Sequence, residues 1–223
     1  MVDFKTAFAE AQKNIEANKT AEKVLIVGAT KTRDINIIKA AAADGLAVAG
    51  ENKVQEFVGK YEPIQGLSWH FIGALQTNKV KYIVDKVDMI HSVDRLDLAK
   101  EINNRCAKIN KVMPVLIEVN VGGEQSKSGV SPDGVYGLAE ELLKFEHLLL
   151  NGIMTVLPIG APENMYRQTE NIFKSLQQKY PQLPVEYLSM GMSGDYVTAV
   201  RHGANIVRLG TALFGARFYG NEN

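Results

Sequence analysis

A single cysteine, Cys106, in a chain of 223 residues excludes an internal disulfide and a cysteine-rich metal centre. It falls in the helical pattern LAKEINNRCAKI, where a small buried filler is expected. Neither charge sign is in excess. The 25 basic residues balance 25 acidic ones, whereas a nucleic-acid or acidic-membrane surface needs a basic surplus. No block of five or six like charges occurs. Apolar runs stay far short of the roughly 18 residues of a membrane span, and MVDFKTAFAEAQKNIEANKT at the N-terminus is amphipathic rather than signal-like. H-E-x-x-H and similar ligand spacings are missing, so no metal site is expected. These absences leave a cytoplasmic protein without nucleic-acid or membrane partners as the expectation.

What the chain has is rhythm. Short apolar runs recur at 24–28, 46–50, 69–73, 87–92, 114–120, 151–156, 185–189 and 205–209. Helical spacing fills most of the gaps. Asp34 opens the segment that runs to Ala43, Ser131-Pro132-Asp133 reads as an N-cap followed by a first-turn proline, and Glu163 to Tyr180 stops before Pro181. Ser193 is read as the cap of a helix reaching Arg201. Eight strand–helix units behind one extra N-terminal helix predict an α/β chain closed into a single (β/α)₈ TIM barrel, with residues 1–223 forming one domain. The rival doubly wound sheet lacks its glycine fingerprint, because Gly28 is followed by Ala-Thr-Lys.

A barrel gathers function at the C-terminal ends of its strands. Lys31 closes the first strand, in VLIVGATKTRD, and Glu51-Asn52 closes the second. LSMGMSG (188–194) and RLGTALFG (208–215) close the last two, the places where barrels hold phosphate. Their Ser189, Ser193, Gly210 and Thr211 offer hydroxyls and permissive backbone for an anion. A lysine opposite such a cradle suggests covalent chemistry with a carbonyl, belonging either to a sugar phosphate or to pyridoxal phosphate (PLP). Glu51 and Glu118 are the strand-linked carboxylates an aldolase would call on. His70 and His91 read as hydrogen-bonded barrel residues, His147 and His202 as surface. Met190 and Met192 are expected to pack against whatever fills the mouth, and Trp69 to pack at a strand start.

At length the chain resembles the pyridoxal phosphate homeostasis protein family, relatives of the N-terminal barrel of alanine racemase. The resemblance rests on ATKT around Lys31, GENKVQE at 50–56, WHFIGALQTNKVK at 69–81 and IHSVD at 90–94. It continues in VLIEVNVGGEQSKSGV at 115–130, LSMGMSGDY at 188–196 and VRLGTALFGAR at 207–217. It implies a PLP-binding barrel of the fold-type III kind, with Lys31 as the Schiff-base lysine. Arg208 would face the pyridine nitrogen; Ser189, Gly210 and Thr211 would hold the phosphate; Asn52 would lie beside the cofactor. Ala74 stands where a histidine is usual after FIG, and Thr30 where serine usually precedes the lysine. An arginine at the ring nitrogen weakens carbanion chemistry, and the chain ends before any racemase-like second domain, so no catalytic turnover is expected. The implied role is carriage and buffering of vitamin B6 as PLP, by a monomer that hands the cofactor to PLP-dependent apo-enzymes. A PLP-dependent racemase and a Schiff-base aldolase are the alternatives. On this reading Gly28, Ala29 and Thr30 leave space for a flat ring over Lys31.

Overall fold

The computed structural model describes residues 3–124 and 127–216; Gln125 and Ser126 of the GEQSK stretch and Arg217 of the last motif lie outside them. Eight parallel strands close into a barrel in chain order: β1 (Leu25–Ala29), β2 (Val48–Glu51), β3 (Ser68–Phe71), β4 (Met89–Val93), β5 (Met113–Glu118), β6 (Leu148–Met154), β7 (Tyr187–Met192) and β8 (Ile206–Leu209). Closure is direct, with Leu25 to Gly28 of β1 paired to Ile206 to Leu209 of β8. Each strand overlaps one of the apolar runs, because in a barrel wrapped by helices both faces of a strand are buried.

The helices are α1 (Phe4–Asn18), α2 (Ile35–Ala43), α3 (Val54–Lys60), α4 (Leu96–Ala107), α5 (Gly134–Leu142), α6 (Glu163–Lys179), α7 (Tyr196–Arg201) and α8 (Thr211–Phe214), with a 3₁₀ turn at Thr77–Tyr82 after β3. The leading helix α1 is capped by Asp3 and buries Phe8, Ala11 and Ile15, three positions on one face. Its Phe4 ring packs on Phe8 and on Phe214 of α8. Asp34 caps α2 through the Asn36 N–H, as expected. Ser131 accepts from the Gly134 N–H at 3.2 Å, so it serves as the cap although regular helix begins at Gly134. Short α3 has no counterpart in the sequence reading, since it carries only Val54 and Phe57 as buried apolar positions.

Two layers of core result. Outside the barrel, strand and helix faces share one large apolar cluster that includes Ile38, Phe57, Leu98, Cys106 and Leu176. Burying each side chain of this size stabilises the fold by about 1.5–3 kcal/mol. Trp69 joins it through an aromatic group with Phe57 and Tyr61, and Met190 belongs here rather than at the mouth. Inside the barrel, Val27, Val48, Ile72 and Ile206 form one apolar plug, and Met89, Leu116 and Met154 another. Two residues further along the strands, on the same face, stand His91, Glu118, Ser189 and Arg208. The lumen is therefore apolar below and polar towards the C-terminal mouth. His202 departs from the surface reading: it is buried, with Nε2 3.0 Å from Glu163.

Candidate functional site

Strand alternation decides what β1 presents. Odd residues Val27, Ala29 and Lys31 follow one face, even residues Gly28 and Thr30 the other. Ala29 and Lys31 accordingly line a cavity of about 440 Å³ at the C-terminal mouth. Gly28 faces outward instead, where an added Cβ would lie 2.8 Å from Leu46 Cδ2. Thr30 is also turned outward and is fully buried, its hydroxyl bonded to Glu51 Oε1. Only Ala29 of the three small residues makes room at the mouth. A serine at position 30 would carry the same hydroxyl, and Ala74 is exposed.

The rest of the cavity wall comes from residues 157–160 after β6, residues 192–195 at the end of β7, and Arg208, Gly210 and Thr211 at the end of β8. Four of the candidate residues thus divide cleanly: Lys31, Arg208, Gly210 and Thr211 meet around one space. Ser189 does not join them there. Its hydroxyl is fully buried within the barrel, 2.9 Å from Arg208 Nη1 and 3.2 Å from His91 Nδ1. Arg208 is clamped further, with Nη1 donating to Ser189 O at 2.9 Å and Nη2 to Thr155 O at 2.8 Å. Burial pushes its guanidinium down to about 10, still charged at neutral pH.

Ser193 takes the place at the mouth. Rather than capping α7, its Oγ accepts from Gly210 N and Ala212 N, each at 3.1 Å. With two N–H groups on its lone pairs, the hydroxyl has its own proton to donate. Asp195 does the local pinning instead, accepting from Met192 N at 2.6 Å and from the Tyr166 hydroxyl at 2.9 Å. Met192 lines the cavity, as expected. β7 is irregular between Ser189 and Met192, and Gly191 sits at φ +93°, where an added Cβ would lie 2.6 Å from Ala199 Cβ. That break in alternation is why the sequence pattern could not tell which serine reaches the mouth.

Asn52 follows β2. The chain after β3 presses on it, since a Cβ at Gly73 would fall 2.2 Å from Asn52 O. Asn52 Oδ1 is buried and has no hydrogen-bond partner among the described residues. Glu118, at the end of β5, is pushed up to about 7 by burial, with Asp94 adding to the rise and Arg208 opposing it. His70 is pushed down to about 4, by burial, and His91 is lowered by burial first and then by having His70 and the charged Arg208 beside it. Both imidazoles are therefore neutral supports inside the barrel.

An (β/α)₈ barrel with a lysine after its first strand, a buried arginine on its last and a hydroxyl-lined turn between them defines a class. Residues 9–218 match the family described as alanine racemase, N-terminal domain. The chain is 47% identical over 200 residues to the pyridoxal phosphate homeostasis protein of Aquifex aeolicus, covering 87% of each, and 37% identical to that of Haemophilus influenzae, covering 92% of this chain and 90% of the relative. It superimposes on PipY of Synechococcus elongatus, solved with PLP bound, with a TM-score of 0.84 at 29% identity, covering 96% of this chain and all of that one. The chain belongs to the alanine racemase N-terminal domain family, and within it to the pyridoxal phosphate homeostasis proteins.

Proposed function

We propose that the mouth cavity binds pyridoxal 5'-phosphate and that the protein carries and buffers this cofactor without catalytic turnover. The carrying observation is the convergence of Lys31, buried Arg208 and the Ser193–Gly210–Thr211 turn on one cavity. The relatives' names and the PLP-bound PipY structure support the same reading. The donor set suits the group. It offers an amine for an aldehyde, hydroxyls and backbone for a phosphate, and a guanidinium for a ring nitrogen. Asn52, whose buried Oδ1 has no hydrogen-bond partner among the described residues, is not among the residues that line this cavity.

When bound, PLP supplies an electrophilic aldehyde on an electron-withdrawing ring. Lys31 would hold it through a reversible covalent bond, and Ser193, Gly210 and Thr211 would hold its phosphate. Arg208 would face the ring nitrogen as a fixed cation that accepts no proton. That leaves the ring a weak electron sink, which suits storage better than turnover. Ser189 and Thr155 would keep the guanidinium in place, so Ser189 serves the ligand through Arg208. One domain spanning residues 1–223, a monomeric state, a cytoplasmic location and delivery to apo-enzymes complete the proposal. No helix among the described residues is long and apolar enough to cross a membrane.

An absorbance scan after reconstitution with PLP tests it. A visible band that Lys31→Ala abolishes is expected; a wild-type protein that PLP leaves colourless would overturn the reading.

A further inference from the structure

Behind the barrel wall, a second lysine organises the turn that carries the first. Lys60, the last residue of α3, is only 12% exposed at its side chain, and its ammonium meets four oxygens. Glu51 Oε1, Glu56 Oε1 and Thr30 O each lie 2.8 Å away, and Arg33 O lies at 3.3 Å. Two of the four are backbone carbonyls, one on either side of the Lys31–Thr32 turn. The same two carboxylate oxygens hold further atoms of the turn: Glu56 Oε1 accepts the Thr32 N–H, and Glu51 Oε1 accepts the Thr30 hydroxyl. Residues 30, 32 and 33 are all tied to side chains of the β2–α3 unit.

Two physical points single this cluster out. Thr32 sits at φ +64°, a left-handed conformation that a β-branched residue adopts only under external constraint. The Glu56 contact on its N–H and the Lys60 contacts beside it supply that constraint. Second, a buried ion pair is a poor source of net stability, since desolvation offsets most of its attraction. Glu51, whose side chain is 1% exposed, is held above the ordinary carboxylate range by burial despite Lys60 and Thr30. What the cluster provides better than apolar packing would is direction, because each bond fixes one atom of the turn.

We propose that Lys60 is the positioning residue of the lysine turn. Held by Glu51 and Glu56, it fixes the backbone on both sides of Lys31 and thereby sets where that amine meets the ligand. The inference rests on the PLP reading only in its last step, since the clamp itself is a property of the chain alone.

The experiment has two arms. In the first, amide hydrogen exchange is measured on the protein without added PLP, in wild type, Lys60→Met and Glu56→Ala. Thr32 and Arg33 are expected to exchange at least about tenfold faster in both variants, while the amides of β1 and β2 keep their protection. Unchanged exchange at Thr32 and Arg33 would overturn the clamp whatever the protein binds. Glu56→Ala removes the Thr32 contact directly and frees Lys60 from one of its carboxylates without leaving a buried apolar chain at position 60. If Lys60→Met does not fold, Arg33, which Lys60 contacts, is therefore the amide that decides the matter in Glu56→Ala.

The second arm measures PLP attachment at Lys31, by borohydride trapping and peptide mass spectrometry, and overall PLP affinity by equilibrium dialysis. Displacing a reacting amine by a fraction of an ångström to an ångström slows capture by about ten- to a hundredfold, which is the loss expected for Lys60→Met. In a Lys31→Ala background, Lys60→Met is expected to leave the residual affinity within about twofold, because its effect runs through Lys31. Equal losses in both backgrounds, or a wild-type attachment rate in Lys60→Met, would overturn the positioning role. If wild type takes up no PLP, the cofactor reading fails, and the exchange arm alone decides the clamp.

Discussion

Arg208 Nη1 donates to the Ser189 hydroxyl at 2.9 Å, and this contact sets the polarity of a buried chain across the barrel. A guanidinium only donates, so Ser189 Oγ is an acceptor there and has its own proton to place. The next polar atom is His91 Nδ1 at 3.2 Å, and His91 Nε2 lies 3.0 Å from His70 Nδ1. Were His91 Nδ1 the protonated nitrogen, the serine proton would lose that partner, and a buried unmade bond costs about 1–3 kcal/mol. The chain therefore runs from Ser189 O–H to His91 Nδ1, and from His91 Nε2–H to His70 Nδ1.

Both histidines are accordingly expected as the neutral Nε2–H tautomer. Long-range ¹H–¹⁵N correlation of the imidazoles reads this directly. A protonated Nδ1 on either ring at neutral pH would contradict the polarity.

Stability should respond to pH through two opposed groups. Glu118 is raised to about 7 from an ordinary 4.5, so the folded state keeps a proton that the unfolded chain has lost. Its contribution therefore falls as pH rises from 4.5 through about 7, by up to roughly 3 kcal/mol. His70 is lowered to about 4 from 6.5, so the unfolded chain takes up a proton that the fold refuses. That stability is lost as pH falls from 6.5 towards 4, again by up to roughly 3 kcal/mol, and His91 acts in the same direction. Between about pH 4.5 and 6.5 the slopes oppose each other. Denaturant unfolding of Glu118→Gln should show a steeper acid loss than wild type, and a rise in stability relative to wild type near pH 7. Parallel pH curves for the two proteins would remove Glu118 from this account.

The Arg208 anchor can be cut in two places. Ser189→Ala keeps the backbone carbonyls of Ser189 and Thr155 as partners and deletes the hydroxyl bond alone, an expected loss of about 1–2 kcal/mol. Arg208→Met leaves the buried Thr155 carbonyl without its donor, while the Ser189 carbonyl keeps the Thr155 N–H at 3.0 Å. Losing three bonds from a charged group should cost more, about 3–5 kcal/mol, together with most PLP affinity. Chemical unfolding ranks them, and a Ser189→Ala loss equal to that of Arg208→Met would place the anchoring on the hydroxyl.

Most of the architecture was legible because each strand is buried on both faces and each run ends in a readable turn. That Lys31, Arg208, Gly210 and Thr211 share one cavity followed from position, since β1 and β8 pair without a register shift and both end at the mouth. The serine did not, because the register shift in β7 breaks the two-residue count between Ser189 and Ser193. The clamp on the lysine turn was hidden for another reason. Glu56 and Lys60 look like an ordinary i,i+4 pair on a short helix, and nothing in the spacing reveals that both also reach the Thr30–Arg33 backbone.

The two faces of β1 give the sharpest separation of fold from site. Gly28 looks outward, where an added Cβ would meet Leu46 Cδ2 at 2.8 Å and Phe214 Cε2 at 3.4 Å. Gly28→Ala should therefore crowd the helix layer and cost about 1–2 kcal/mol, partly relieved by rotation of Leu46. It should leave PLP binding nearly intact, because no cavity atom is touched. Ala29, one residue on, lines the cavity beside Lys31 and Gly210. Ala29→Leu should keep the melting temperature close to that of wild type, since the added carbons project into open cavity. Occupying the space beside Lys31 should nevertheless cut PLP affinity by at least about tenfold, or 1.4 kcal/mol. Thermal unfolding and equilibrium dialysis on the two variants read the contrast. If Gly28→Ala abolished binding while Ala29→Leu did not, the assignment of the odd face of β1 to the ligand would be wrong.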